Sequence, residues 1–103
     1  ETKMLTKKFF KSKSTCQVTF QLPEGVEAEK ASVVGEFNNW DPEADRMKKV
    51  KRVWKTTVEL EQGQEYQFRY LVNGADWYND DAADKYVPNN IAGDNSVVVT
   101  TPN

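Results

Sequence analysis

Period-two alternation of apolar and polar residues runs through most of this chain and constrains its fold more than any other feature. In the clearest stretch, residues 65–72, aromatic or apolar residues on one face alternate with others on the opposite face: Tyr66, Phe68, Tyr70 and Val72 against Glu65, Gln67, Arg69 and Leu71. The same pattern recurs, between turn residues, at 16–22, 31–37, 47–50, 54–60 and 97–100. Short alternating strands at this spacing predict an all-β, immunoglobulin-like β-sandwich of about seven strands.

The turns between these strands have recognisable residues. Asn73-Gly74 predicts a hairpin, because both residue types tolerate positive φ, and Lys51-Arg52 and Gln62-Gly63 are expected to be turns as well. Trp54 is in phase with the apolar side of its strand and is therefore expected in the core.

Composition excludes several classes of function. The chain has 103 residues, no histidine, one cysteine and a formal net charge of −2. Without histidine, and with Cys16 alone, zinc sites and Cys/His or Ser/His catalysis are excluded, and no carboxylate pair is recognisable for glycosidase chemistry. We therefore expect no enzyme activity, no catalytic residue, no metal and no cofactor, and no nucleic-acid or membrane partner. A lone cysteine without a signal peptide indicates the cytoplasm.

The first fourteen residues differ from the rest. Five lysines lie between Lys3 and Lys13, which we interpret as a solvated N-terminal segment covering residues 1–14. Residues 15–103 are then the folded domain. Met4 is typical of a natural start, so residues 1–3 are expected to be vector-derived and the chain to be a short, complete protein.

Two sequence blocks carry a family resemblance. One is Gly35-Glu36-Phe37-Asn38-Asn39-Trp40, and the other is Phe68-Arg69-Tyr70-Leu71-Val72-Asn73-Gly74, followed by Trp77. In this order and spacing they resemble carbohydrate-binding modules of family 48, the isoamylase N-terminal early-set domains, and the glycogen-binding domain of the AMP-activated kinase β subunit. The resemblance covers roughly residues 15–100, and a short stand-alone bacterial member of the family is one interpretation.

The resemblance implies a carbohydrate site. In glycogen-binding members of the family, two tryptophans stack on glucose rings, and the matching positions here are Trp40 and Trp77. A basic residue on the preceding strand matches Arg69, and the last loop supplies an apolar contact and an asparagine near Ile91 and at Asn95. A loop threonine of the family pattern is missing, since its position falls at Ala92 or Gly93.

The chemistry of these residues agrees with that implication, although each has an alternative role. An exposed indole offers a broad, rigid surface for the apolar face of a pyranose, and Arg and Asn can hydrogen-bond its hydroxyls. Either tryptophan could instead be a structural contact, and Arg69 could be a solvated strand charge or a partner of Glu36. Asp80, Asp81 and Asp84 could suggest calcium, but they match no recognisable calcium loop and are interpreted as turn-forming acids.

The sequence thus predicts non-catalytic binding of α-1,4-linked glucan, meaning glycogen or starch-like chains. The alternative is a structural or protein-interaction domain that docks on a glycogen-metabolising enzyme without binding sugar. An apolar surface patch away from Trp40 and Trp77 would favour that alternative.

Overall fold

The computed structural model describes residues 5–80, 83–89 and 93–101. In this part the chain forms nine strands and one turn of 3₁₀ helix, the latter at Glu36–Asn38. The strands are β1 (Leu5–Phe9), β2 (Thr15–Gln21), β3 (Ala31–Gly35), β4 (Lys48–Val50), β5 (Val53–Glu61), β6 (Glu65–Val72), β7 (Asp76–Tyr78), β8 (Lys85–Pro88) and β9 (Asp94–Val99). No helix in these residues is long and apolar enough to traverse a membrane.

The strands form two antiparallel sheets that pack as a sandwich. One sheet has the order β1-β2-β5-β4, and the other has the order β3-β6-β9-β8, with β7 also paired to β6. The predicted immunoglobulin-like, early-set sandwich is confirmed, with more strands than the seven expected. The acidic stretch and the short, proline-containing β8 gave no alternation signal in the sequence.

The core lies between the two sheets and follows the predicted alternation. Phe68, Tyr70 and Val72 of β6 belong to it, as do the inward residues of β2 and β3. Phe20 lies at its centre, with ring centroids 4.9 Å from Phe68 and 5.5 Å from Phe37. Trp54 is 8% exposed, so its predicted place in the core is confirmed.

The N-terminal lysine-rich segment is more ordered than its composition suggests. All five residues of β1 pair with β2, from Leu5 opposite Phe20 to Phe9 opposite Cys16, and Leu5 is buried in the core. Lys7 donates from Nζ to Asp84 Oδ2 at 2.6 Å and to the carbonyl of Val99 at 2.9 Å. The first strand is therefore tied to the second sheet as well as to its own, and the expectation of a solvated segment is wrong for residues 5–9.

A second difference from expectation concerns the end of β3. The alternation of residues 31–37 predicts one strand, but the strand ends at Gly35 and the 3₁₀ turn follows. Phe37 still packs against the core from that turn, so burial of its ring does not require a strand. The period-two pattern therefore correctly placed Phe37 against the core, where it is partly buried, but predicted the wrong backbone conformation for it.

A buried cluster of polar residues connects β7 and β9, which both pair with the same edge of β6. The Tyr70 hydroxyl donates to Asp80 Oδ2 at 2.7 Å, and the Asp80 backbone N–H donates to Ser96 Oγ at 2.8 Å. Asn79 accepts from the Ser96 backbone and hydroxyl through its Oδ1. These bonds fix the junction between β7 and β9 and give Asp80 a structural role.

Candidate carbohydrate-binding face

The second sheet has an outer face, which points away from the core and includes several buried apolar side chains. Residues on it are out of phase with the core: Ser32 and Val34 on β3, Gln67, Arg69 and Leu71 on β6, Trp77 on β7, and Asn95 and Val97 on β9. Val34, Leu71 and Val97 are buried, yet none of them belongs to the central core cluster. We call this set of residues the outer face.

Trp77 is presented on the outer face by strand pairing. It lies directly opposite Leu71 across the β6–β7 ladder, and its side chain remains 45% exposed. The hairpin that carries it has a three-residue turn, residues 73–75, with positive φ at Asn73 and Gly74. The Asn73 side chain also accepts the backbone N–H of Glu29 at 2.8 Å, which anchors the turn.

Arg69 lies beside Trp77 on the same face. Its guanidinium carbon is 5.8 Å from the centre of the Trp77 ring, within the range of a cation–π interaction. The buried Nε atom of Arg69 has no hydrogen-bond partner within the described residues. Glu36, the alternative partner, instead accepts the backbone N–H of Gln67 at 2.7 Å, so its carboxylate is engaged elsewhere.

Asn95 extends the outer face along β9. Its Nδ2 donates to Gln67 Oε1 at 3.0 Å, and its Oδ1 accepts from Asn89 at 3.3 Å. The two amides therefore line up next to Arg69, since Gln67 precedes it by two residues on the same side of β6. Ile91, the predicted apolar contact of this loop, lies outside the described residues.

Trp40 is positioned by the loop that follows β3. Asn38 holds this loop, because its Oδ1 accepts from Gly35 N at 3.0 Å while its Nδ2 donates to Val33 O at 3.0 Å and to Asp45 Oδ2 at 2.8 Å. Asn39 and Trp40 both adopt positive φ, 56° and 58°, and Trp40 N donates to Gly35 O at 2.9 Å. The Trp40 side chain is 39% exposed.

The structure thus brings three of the predicted residues onto one face. Trp77, Arg69 and Asn95 share the outer face, whereas no hydrogen bond or ring contact in the described part of the chain joins the Trp40 side chain to them. Gln67 was missed by sequence reasoning, although the alternation that assigns Arg69 outward assigns Gln67 outward too. Outward phase alone does not separate a binding amide from an ordinary surface glutamine.

The described residues contain no group of three or more His, Cys, Asp or Glu side chains that could hold a metal ion. Asp80 is fully buried in its hydrogen-bonded cluster, and Asp84 pairs with Lys7. Surface aromatics, a cation and amides remain, and this set suits recognition of a neutral polyhydroxyl ligand.

The model of carbohydrate-binding module 48 (isoamylase N-terminal domain) matches residues 25–87, more than half of the chain. The chain is a family 48 carbohydrate-binding module. This match covers both sequence blocks, together with β3, β6 and β7, and confirms the family expected from them. A comparison with curated proteins finds no match. The family is one of non-catalytic binding modules, so the module's general function is carbohydrate binding.

Proposed function

We propose that this module binds α-1,4-linked glucan, such as the chains of glycogen or starch, by stacking glucose rings on Trp77 and Trp40. The observation that carries the proposal is the exposed Trp77 indole with the Arg69 guanidinium beside it. Isolated large aromatics at a surface lose little conformational entropy on binding and offer a flat apolar area. Glucan chains present such an area on each ring, with hydroxyls around it.

The polar groups of the outer face suit those hydroxyls. Arg69 supplies donors only, whereas Gln67 and Asn95 supply both donors and acceptors. Their mutual hydrogen bond at 3.0 Å holds the two amides in place before a ligand arrives. Since the face is open and the contacts are few, we expect affinities of about 10⁻⁶ to 10⁻³ M.

In this proposal the module is not an enzyme and uses no cofactor or metal. It supplies the affinity for glucan, and any chemistry on the chain belongs to another protein or domain. Its one cysteine, Cys16, is free and buried, which fits a reducing compartment such as the cytoplasm.

Titration with maltoheptaose and with β-cyclodextrin, followed by tryptophan fluorescence, tests the proposal. Trp54 is buried in the core and provides a constant background, so a change on titration reports the two exposed indoles. Trp77→Ala and Trp40→Ala are each expected to abolish saturable binding while circular dichroism is unchanged. No response to either sugar at tens of millimolar would contradict the proposal.

Tyr78 supplies the matched control. It is the next residue on β7, 50% exposed, but it pairs with Tyr70 and therefore lies on the opposite side of the strand from Trp77. Tyr78→Ala removes a similar exposed aromatic area from the same short strand. We expect it to bind maltoheptaose as the wild type does.

One observation favours a second candidate function, docking on a glycogen-metabolising enzyme. Tyr78 borders a mainly apolar groove of about 460 Å³ at the end of the sandwich, away from the outer face and lined by Leu22, Pro23, Val26 and Val72. If the module docks there, Tyr78→Ala should weaken its co-sedimentation with a purified glycogen branching enzyme, whereas Trp77→Ala should not. The two variants thereby separate docking from sugar binding.

A further inference from the structure

A row of outward residues crosses three strands of the second sheet and leads away from Trp77. Trp77 on β7 lies opposite Leu71 on β6, and Leu71 lies opposite Ser32 on β3. Neighbouring strands are about 4.8 Å apart, so Ser32 is about 10 Å from the strand of Trp77. The row therefore continues the surface on which Trp77 stands, toward the far edge of the sheet.

This edge is bordered by a chain segment that forms a wall. Residues 45–47 run beside β3, with Val33 N donating to Asp45 O at 3.1 Å and Met47 N donating to Ala31 O at 2.8 Å. Arg46 is thereby held in an isolated bridge opposite Ser32. The wall encloses a groove whose floor is Ser32 and Leu71, which we call the lateral groove.

The lateral groove is small and has polar walls. Its volume is about 220 Å³, and Glu43 and Arg46 line one side while Lys30 and Gly74 line another. Pockets for drug-sized ligands usually enclose about 300–1,000 Å³, so this groove suits a single small unit rather than a whole oligosaccharide. Gly74 lies beside the Lys30 side chain, since a Cβ at Gly74 would be 3.4 Å from Lys30 Cε.

The polar groups of the groove have unused hydrogen-bonding capacity. Ser32 is 5% exposed and its hydroxyl has no hydrogen bond within the described residues, although it lines the groove. Lys30 makes no ion pair with any described residue, and Glu43 pairs with Arg46 at the rim. A serine hydroxyl that lines the groove can both donate to and accept from a ligand hydroxyl.

The lateral groove combines hydrogen-bond donors with acceptors. Lys30 and Arg46 are donors, Glu43 is an acceptor, and Ser32 is both, so the groove can satisfy hydroxyl groups that donate and accept. Glu43 and Arg46 form an ion pair, which leaves Lys30 as the unpaired charge among the described residues of the lining. All of these groups can hydrogen-bond the hydroxyls of a sugar unit, and Pro42 adds an apolar side for its ring.

We propose that the lateral groove is a further sugar subsite, which holds a glucose unit of a chain that is also stacked on Trp77. This inference rests on the proposed glucan binding. It assigns Ser32, Glu43 and Arg46 to recognition of ligand hydroxyls, and it makes the module favour chains long enough to reach from Trp77 to β3.

The ratio of two affinities tests the subsite. Dissociation constants for maltotriose and maltoheptaose would be measured by isothermal titration calorimetry for the wild type, Ser32→Ala, Glu43→Gln and Arg46→Gln. Glu59→Gln is the matched control, because Glu59 is an exposed carboxylate paired with Lys13 in the other sheet. We expect the first three variants to lose about threefold to tenfold in maltoheptaose affinity and to keep the maltotriose affinity, and the control to keep both.

The outcomes distinguish this inference from the function on which it rests. Unchanged affinity ratios in all three variants, with sugar binding intact, would overturn the subsite alone. Absence of any sugar binding to the wild type would overturn the proposed function and the subsite with it. A loss of maltoheptaose affinity in Glu59→Gln as large as in Glu43→Gln would also overturn the subsite, since the effect would then not be local.

Discussion

The Arg69 guanidinium carbon lies 5.8 Å from the centre of the Trp77 ring, across the pairing of β6 with β7. A cation at this distance from an indole is attracted by the ring's quadrupole, with about 0.5–1 kcal/mol at exposed sites. Trp77 is on a three-residue strand and is 45% exposed, so it has few other contacts to fix its orientation. We infer that Arg69 orients the indole before a ligand arrives, which lowers the entropy lost on binding.

Arg69→Ala should therefore weaken glucan binding by more than the loss of its own hydrogen bonds. We expect maltoheptaose affinity to fall about tenfold, because the substitution removes donors to the ligand and the contact that orients Trp77. Arg69→Lys should restore part of the affinity, since a cation remains. Lys55→Ala, an exposed strand lysine of the other sheet, is the control, and an equal loss in that variant would show a non-specific charge effect.

The two tryptophans of β5 and β7 should differ sharply in their effect on stability. Trp54→Ala is expected to lower the free energy of unfolding by about 3–5 kcal/mol, because it empties a core position that is 8% exposed. Trp77→Ala should cost about 1 kcal/mol or less, since it removes a half-exposed side chain and one cross-strand pair. Urea denaturation followed by circular dichroism measures both, and similar losses would contradict the placement of the two rings.

Much of the fold could be predicted, because a strand that is buried on one side has alternating apolar and polar residues along its sequence. Tyr66, Phe68 and Tyr70 showed the inward side of β6, and Trp54 showed that of β5. Residues typical of hairpin turns showed where one strand ends and the next begins. β1 and β8 could not be found in this way, because lysines and a proline on edge strands resemble loop composition.

The candidate site could be predicted only in part, because strand phase shows direction and not neighbours. Alternation placed Arg69 outward, but its closeness to Trp77 depends on the register of β6 against β7. The lateral groove depends on residues 45–47 folding back beside β3, where Val33 pairs with Asp45, Ser32 with Arg46 and Ala31 with Met47, and this contact has no local sequence signal. The roles of Trp40, Trp77, Arg69, Ile91 and Asn95 in binding stay predictions.

Gly35 is expected to be the glycine most sensitive to substitution. A Cβ at this position would lie 2.5 Å from Gln67 O and 2.8 Å from Phe68 Cβ, so Gly35→Ala must displace the pairing of β3 with β6. We expect a loss of about 3 kcal/mol in the free energy of unfolding. Gly63→Ala is the comparison, because its Cβ meets no atom within 4 Å and only its φ of +79° is unfavourable, at a cost of about 1 kcal/mol.

The stability of the module should decrease at alkaline pH. Burial raises the pKa of the Cys16 thiol, and burial also raises the pKa of the Tyr66 hydroxyl. Both groups stay protonated in the folded state above the pH at which they ionise in the unfolded chain. Their contribution is therefore complete below about pH 8.5 and is lost as the pH rises, first through Cys16 and then, above about pH 10, through Tyr66.

Urea denaturation at pH 7 and at pH 9.5 measures this dependence. The free energy of unfolding should be lower at pH 9.5, and Cys16→Ala should show a smaller difference between the two values even though it is less stable at both. Cys16 should also resist a thiol reagent in the folded protein at pH 7, because a buried neutral thiol is a poor nucleophile. Rapid labelling without unfolding would contradict its burial.

At position 40, the residue that is best for stability should differ from the residue that is needed for sugar binding. Its φ of 58° lies in the left-handed region, which is unfavourable for a side chain with a Cβ and which glycine adopts freely. Trp40→Gly should therefore be about 1 kcal/mol more stable than Trp40→Ala, although both lack the indole. Residues in such conformations are retained mainly where the surrounding structure or a function requires them.

Both Trp40 variants should lose maltoheptaose binding, so the gain in stability of the glycine variant would come without function. Asn39→Gly is the matched control, because Asn39 has nearly the same φ of 56° and is not expected to contact sugar. It should gain stability or leave it unchanged and should keep the wild-type affinity. If Trp40→Gly bound maltoheptaose as the wild type does, the strained backbone at this position would serve the loop alone, and Trp77 would be the module's stacking platform without Trp40.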